Sequence, residues 1–118
     1  MVTLAQPHDA GLACEEPYAL NRRICLTNKI FTYLAAGVPV LLTRTPAQAR
    51  LEPSLGDAAF GYECGDVQAL ARTLRLLAGD AALRQRSRAA ARAAAADRWH
   101  WEHPEDRGAL LAAVRAVV

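Results

Sequence analysis

Three consecutive residues, Thr27, Asn28 and Lys29, could together hold an anion. Thr and Asn are typical of helix starts, because their side-chain oxygens can accept from the free N–H groups of the first turn. A lysine in that turn opposes the helix macrodipole, so Lys29 does not serve to stabilise the helix. Free N–H groups and a cation together form a suitable binding site for an anion such as a diphosphate. The sequence leaves open another interpretation, in which Lys29 is solvated or is paired with Glu15 or Glu16.

The two acidic residues follow a short apolar run, Ala10–Cys14, which has the pattern of a β-strand. Within this run, we expect Gly11 to let another backbone approach closely. Glu15 and Glu16 would then lie at the carboxyl end of a strand, where open α/β sheets bind their ligands. A polar turn ended by Pro17 explains the same residues equally well.

The segment Pro17–Cys25 has no clean hydrophobic period, and we predict a loop there. Arg22 and Arg23 in this segment could reach a phosphate. They could also simply face water, which is the commoner situation for arginine.

The candidate anion-binding residues begin a predicted helix that leads into a buried strand. Its apolar face consists of residues at helical spacing: Ile30, Phe31, Leu34 and Ala35. The opposite side carries Lys29, Thr32, Tyr33 and Ala36. Gly37 stops the helix, since a residue at positive φ is least strained without a Cβ, and Pro39 prevents continuation. Val40–Thr43 is then apolar enough on both faces for a parallel strand covered by helices.

Further elements follow in the same alternation. Thr45 is the predicted cap of a short helix that ends near Leu51, before Pro53. Ala58–Glu63 has the pattern of another strand. Asp66 is the predicted cap of a longer helix, whose buried stripe comprises Leu70, Leu74 and Leu77.

The C-terminal part is helical, with a long Ala/Arg helix predicted over Ala81–Arg98. Its arginine stripe is either a solvated face or a contact with anionic lipid headgroups: Arg84, Arg88 and Arg92. Trp99 and Trp101 are expected to be packing anchors rather than a platform for sugar. Pro104 begins a last helix, for which the predicted buried side is Leu110, Leu111, Val114 and Val117.

Composition limits the classes of protein that fit. At 118 residues, 53% of them hydrophobic and 22% charged, the chain is globular and one domain at most. No run is long enough to cross a membrane, and a net charge of +2 is too small to imply nucleic acid. The three cysteines have no metal-binding or disulfide pattern, so we expect reduced, partly buried thiols in a cytoplasmic protein. The histidines also lack metal spacing.

Three stretches of the chain together resemble a known family: HDAGLACEEP, LNRRICLTNKIFTYLAAGVPVLLT and GYECGDVQALARTL. They look like the C-terminal, donor-binding part of bacterial GT-B glycosyltransferases of glycosyltransferase family 4. In that family a helix of the pattern NK-[LI]-F-E-Y-L-A-A-G-x-P-V lies beside the donor's diphosphate and sugar. The resemblance implies an α/β, partial Rossmann-like fold with a short parallel sheet flanked by helices. It implies one partial domain over 1–118, with terminal helices over 80–118.

The resemblance also implies a function, namely binding of a nucleotide-diphosphate sugar and retaining transfer of its glycosyl group, without a metal or other cofactor. The implied donor-binding residues are Asn21, Thr27, Asn28, Lys29, Thr32 and Tyr33. Glu15 is the implied catalytic residue, near the sugar. The chain departs from the family at Thr32 and Ile24, where many members have glutamates.

Such an enzyme needs a second domain that binds the acceptor, so we expect a missing N-terminal acceptor domain and no sugar transfer by this chain alone. With about three strands, one flank of the sheet would be unpaired and could drive self-association. The expected location is the cytoplasm, with peripheral contact to the inner face of the membrane and no nucleic-acid partner. A non-catalytic α/β nucleotide-binding or interaction module is the alternative.

Overall fold

The computed structural model of the protein describes residues 1–100 and 102–118. Helices and strands alternate at first, and the C-terminal part is purely helical. In chain order the elements are α1 (Val2–Ala5), β1 (Gly11–Ala13), α2 (Leu20–Ile24), α3 (Asn28–Ala35), β2 (Val40–Thr43), α4 (Pro46–Leu55), a 3-10 turn (Gly56–Ala58), β3 (Ala59–Tyr62), α5 (Val67–Gly79), α6 (Ala81–Asp97) and α7 (Pro104–Val117).

The three strands form one parallel sheet in the order β1-β2-β3. Gly11 of β1 lies opposite Val40 of β2, and Val40 lies opposite Ala59 of β3. Every residue of β2 is buried, as is usual for a parallel strand with helices on both faces. The predicted α/β fold with a short parallel sheet is therefore confirmed. Because the strands are parallel, their carboxyl ends meet at one edge.

Helices cover both faces of the sheet. On one face, α3, α4 and α6 pack against a cluster that includes Val40 and Leu42. On the other face, α5 places Leu77 against Leu41 and Tyr62. Side chains of β2 alternate between the two faces, so the central strand contributes to both parts of the core.

The helix–glycine–strand unit forms as the sequence predicts. Ile30 is fully buried, and Gly37 has a φ of 68°, in the left-handed region where a Cβ is costly. The predicted faces are wrong at the end of the helix, because Ala35 is exposed and Ala36 is buried. α3 ends at Ala35, and the turn that follows directs Ala36 into a small cluster with Val38.

α6 runs past the amino ends of the strands. Within its arginine stripe, Arg84 and Arg88 bind backbone carbonyls, whereas Arg92 is exposed as a solvated face would be. The Arg88 guanidinium donates to the backbone carbonyls of Gln6 and His8, which precede β1. Arg84 donates to the last carbonyls of α5, and Arg92 packs over the glycine that ends α3. Guanidinium donors satisfy carbonyls that would otherwise lack partners. These contacts cover the amino ends of the strands, whereas a cleft opens at the carboxyl edge.

Two boundaries differ from the prediction. The segment Pro17–Cys25 contains α2 rather than a continuous loop, and α2 buries none of its residues, so no hydrophobic period marks it. α4 continues through Pro53, although the sequence predicts that it stops before this proline. Leu51 and Leu55 lie one turn apart and both pack into the core, which favours the longer helix despite the proline.

The outer helices bury less than their patterns indicate. On α5, Leu74 is 39% exposed, because the helix packs against the sheet through the turns of Leu70 and Leu77. α7, all of which the structure describes, has no buried residue. Its predicted buried side is therefore wrong, and these residues are exposed: Leu110, Leu111, Val114 and Val117. An amphipathic pattern needs a surface to pack on, and the described chain offers none to this helix.

Trp99 is half-buried and packs on Phe31, with ring centroids 5.2 Å apart, as a packing anchor would. Trp101, predicted to have the same role, lies outside the described residues. The three cysteines are free, but they are exposed rather than partly buried, because each follows the end of a strand or of α2. Within the described ranges, no helix is both long and apolar enough to cross a membrane.

Candidate functional site

A cleft of about 340 Å³ opens at the carboxyl edge of the sheet, between the end of β1 and the start of α3. Its volume falls in the lower part of the range of roughly 300–1,000 Å³ that small-molecule sites occupy. Six residues line the cleft: Glu15, Asn21, Arg22, Cys25, Thr27 and Lys29. Four of these are residues that the sequence predicts for the site: Glu15, Asn21, Thr27 and Lys29.

Lys29 is the single lysine of the chain, and its ammonium group points into this cleft. Its Nζ lies 2.6 Å from Oε1 of Glu15, so the observed arrangement is the ion pair that the sequence left as one interpretation. The Lys29 side chain is 40% exposed, whereas that of Glu15 is 6% exposed. An ammonium group has three donors, so Lys29 can bind a further acceptor from the cleft while it contacts Glu15.

α4 holds the Glu15 carboxylate from its buried side. Nε2 of the fully buried Gln48 donates a 2.5 Å hydrogen bond to Oε2 of Glu15. Gln48 is itself fixed, because its backbone amide donates to the hydroxyl of Thr45 at the start of α4. Burial raises the pKa of the Glu15 carboxyl, but the bonds from Lys29 and Gln48 outweigh it and hold the pKa below its ordinary value of 4.5. Glu15 is therefore ionised at neutral pH.

The first turn of α3 leaves donors available at the cleft. Thr27 occupies the position before the helix, yet its side chain accepts no hydrogen bond from the first turn. Among the described residues, the buried Thr27 hydroxyl also has no hydrogen-bond partner. Helix N-termini carry free N–H groups and a partial positive charge, which favour an anion. The turn therefore adds to the positive potential of Lys29 at the same opening.

Two residues of α2, Asn21 and Arg22, also line the cleft. Arg22 extends over the ring of Tyr18, with its guanidinium carbon 4.9 Å from the ring centroid. Oδ1 of Asn21 accepts a 3.0 Å bond from the backbone amide of Arg22. The sequence leaves open whether Arg22 contacts phosphate or water, because α2 has no buried face that would indicate the orientation of Arg22. In the structure Arg22 lines the same cleft as Lys29.

The other predicted donor-binding residues point elsewhere. The side chains of Asn28 and Thr32 line a separate groove beside Trp99. The Thr32 hydroxyl donates to the carbonyl of Asn28, within α3. Tyr33 lies against Gly11, where an added Cβ would come within 2.3 Å of the tyrosine ring. The close neighbour of Gly11 is thus a ring rather than a backbone, and Tyr33 packs between α3 and β1.

A second, smaller cleft of about 130 Å³ lies at the same edge, on the face that α5 covers. It is lined by side chains that no local sequence pattern groups together: Cys14, Glu16, Thr43, Tyr62 and Cys64. The Tyr62 hydroxyl bonds to that of Thr43 at 3.3 Å. Burial, together with a bond to Cys14, raises the pKa of Tyr62 to about 12, so the phenol is protonated at neutral pH. Strand register could have indicated this grouping, since these residues end three adjacent strands.

In the described part of the chain, no group of three His, Cys, Asp or Glu residues could hold a metal ion. The donors and charges of the cleft that contains Lys29 instead suit an anion with several oxygen acceptors. Comparisons of the chain with protein-family models, with curated proteins and with solved structures returned no match.

Proposed function

We propose that the cleft between the end of β1 and the start of α3 binds the diphosphate of a nucleotide-diphosphate sugar. On this proposal the chain is the donor-binding part of a retaining GT-B glycosyltransferase of the family 4 type. The observation that carries it is the position of Lys29, Arg22 and the first turn of α3 around one opening at the carboxyl edge of a parallel sheet. Ligands of open α/β sheets bind at this edge, and the first turn of a helix there suits phosphate groups.

The chemistry of glycosyl transfer gives these groups a role. When the bond between the sugar carbon and the diphosphate oxygen breaks, the electron pair leaves with the diphosphate. Fixed positive charge near that oxygen stabilises the departing group more than the intact donor. Lys29 of α3 and Arg22 of α2 supply such charge, and the first-turn amides of α3 add backbone donors. The acceptor would bind to a second domain, which the proposal requires elsewhere in the complete enzyme.

A non-catalytic nucleotide-binding module is the second candidate. It is favoured by the residues at two positions where many family members have glutamates, namely Thr32 and Ile24. Thr32 points to a different groove from Lys29, and Ile24 is exposed on α2. Neither can accept sugar hydroxyls as a carboxylate does. A module of this kind would bind nucleoside diphosphates in the same cleft without transferring sugar.

Isothermal calorimetry with uridine, guanosine and adenosine diphosphates and their glucose conjugates tests the proposal. We expect saturable binding of one nucleotide type and at least tenfold weaker binding by Lys29→Met, which corresponds to about 1.4 kcal/mol. Arg75→Met is the matched control, because it removes one positive charge from an exposed position on α5, away from the cleft.

Lys29→Met leaves the buried Glu15 carboxylate without its cation, so a thermal melt accompanies each titration. The proposal fails if the wild-type protein binds none of these ligands, or if folded Lys29→Met binds as tightly as Arg75→Met. Binding without transfer by the complete enzyme would favour the non-catalytic module.

A further inference from the structure

The positive charge of Lys29 is already balanced by an anion that belongs to the protein. Oε1 of Glu15 contacts the ammonium at 2.6 Å, while Oε2 accepts from Gln48. Glu15 is 5% exposed and is therefore held on the protein side of the cleft, whereas Lys29 is partly open to solvent. An anion that enters the cleft must share Lys29 with a fixed carboxylate.

The carboxylate also acts on the entering anion directly. Like charges at short range in a partly buried site repel strongly, because the local dielectric constant is well below that of water. A small anion such as inorganic phosphate has few other contacts with which to offset this repulsion. A nucleoside diphosphate can offset it through its base, its ribose, and bonds from Arg22 and the first turn of α3.

We propose, resting on the function proposed above, that Glu15 is a specificity-determining residue that competes with incoming anions for Lys29. In the free protein Glu15 is paired with the Lys29 ammonium group. Only a ligand with several additional contacts displaces Glu15 from this group or binds the group together with Glu15. Glu15 therefore keeps simple phosphate and pyrophosphate from filling the cleft. This role differs from the catalytic one that the family resemblance implies for the same residue.

Both oxygens of Glu15 are engaged by protein donors, which supports competition over catalysis. A carboxylate that receives a sugar hydroxyl or attacks a sugar carbon needs an oxygen that reaches the substrate, whereas the Glu15 residue is only 5% exposed. Here Oε1 is bonded to Lys29 and Oε2 to Gln48. Replacing the carboxylate by an amide keeps an oxygen for Gln48 and removes the charge that restrains Lys29.

The test compares binding of inorganic pyrophosphate and inorganic phosphate by the wild-type protein, Glu15→Gln and Glu16→Gln. We expect Glu15→Gln to bind pyrophosphate at least tenfold more tightly than the wild-type protein. Glu16→Gln is the matched control, since it removes an exposed neighbouring carboxylate that lines the other cleft, and its affinity should stay within twofold. The gain should disappear in Lys29→Met/Glu15→Gln, because the effect acts through Lys29.

The inference is overturned if folded Glu15→Gln binds pyrophosphate no more tightly than the wild-type protein, or if the gain persists without Lys29. If Glu15→Gln does not fold, Glu15→Asp replaces it in the test, because its side chain is one methylene group shorter and holds the charge farther from Lys29. Glu15→Asp should bind pyrophosphate at least threefold more tightly than the wild-type protein. Unchanged pyrophosphate affinity of Glu15→Asp would also overturn the inference. Tighter pyrophosphate binding without any nucleotide binding would support this inference and contradict the proposed function. Nucleotide binding that depends on Lys29 but not on Glu15 would support the proposed function and contradict this inference.

Discussion

The Arg88 guanidinium donates a 2.7 Å hydrogen bond to the backbone carbonyl of His8, a residue 80 positions earlier in the chain. A second bond, of 2.8 Å, reaches the carbonyl of Gln6. One side chain of α6 thus ties down the segment that leads into β1. Since β1 carries Glu15 at its carboxyl end, this contact supports the cleft from the opposite edge of the sheet.

Arg88→Met should therefore lower the free energy of unfolding by roughly 1–2 kcal/mol, because two hydrogen bonds to carbonyls are lost. The measurement is urea denaturation, with Arg86→Met as control, since Arg86 is exposed on the same helix. If the arginine stripe instead serves to contact lipid, Arg88→Met would lose binding to anionic vesicles while its stability equals that of the control.

Gly11→Ala should destabilise the protein by about 1–3 kcal/mol, as overpacking of a core commonly does. The added Cβ would lie 2.3 Å from Cγ of the Tyr33 ring, too close for both groups to keep their positions. Tyr33→Leu should relieve the clash, so the double variant should lose less stability than the two single variants together. Additive losses in denaturant melts would mean that the Gly11–Tyr33 contact is not the cause.

Glu52 should make the stability depend on pH in the acidic range. Hydrogen bonds from Arg44 outweigh burial and hold the pKa of the Glu52 carboxyl below its ordinary value of 4.5. A carboxyl with a lowered pKa in the folded state stabilises the protein above pH 4.5, and this contribution is lost as the pH falls through the folded-state pKa. Glu15 acts in the same direction.

Glu52→Gln should thus reduce stability by about 1 kcal/mol at pH 7, a modest loss because Arg44 is 41% exposed and solvent screens the pair. Below pH 4.5 the variant and the wild-type protein should converge. Urea melts across this pH range measure the effect, with Glu16→Gln as the exposed control. A difference that stays constant as the pH falls would exclude the Arg44–Glu52 pair as its source.

Trp99→Ala should cost roughly 1–3 kcal/mol of unfolding free energy, less than the loss expected for a fully buried tryptophan. The ring packs on Phe31 and under the Arg98 guanidinium, whose carbon lies 4.8 Å from the ring centroid. Because Trp99 lines a groove separate from the cleft of Lys29, nucleotide affinity should change by less than twofold. Lower nucleotide affinity with unchanged stability would favour a sugar-stacking role instead.

Local signals along the chain were sufficient to predict most of the fold. Gly37 and the apolar run Val40–Thr43 determine where a helix stops and a buried strand begins, and Asp66 caps α5 by accepting from the backbone amide of Ala69. The sequence does not predict α2, because a short helix without a buried face produces no hydrophobic period. α7 has such a period, but in the described chain its apolar residues find no surface to bury against.

The site was predictable only in part, for a related reason. The sequence predicts that Glu15 follows a strand and that Lys29 begins a helix. Parallel pairing of the strands then brings both residues to the carboxyl edge of the sheet. The restraint of Glu15 by Gln48 depends on a contact across 33 residues of sequence, which no local pattern encodes. Helical spacing predicts that Thr32 and Tyr33 share the side of Lys29. In the structure Thr32 lines a separate groove and Tyr33 packs against Gly11, and these surroundings are set by elements distant in sequence.

The central claim, that the Lys29 ammonium binds the diphosphate, can be tested on the wild-type protein by nuclear magnetic resonance. Because Lys29 is the only lysine, selective ¹³C-labelling of lysine gives side-chain signals from this residue alone. Titration with the nucleoside diphosphate that calorimetry identifies should shift the Lys29 Cε–Hε signal saturably, with the same Kd as the heat of binding. A nucleotide that binds by calorimetry and leaves this signal unmoved would contradict the account.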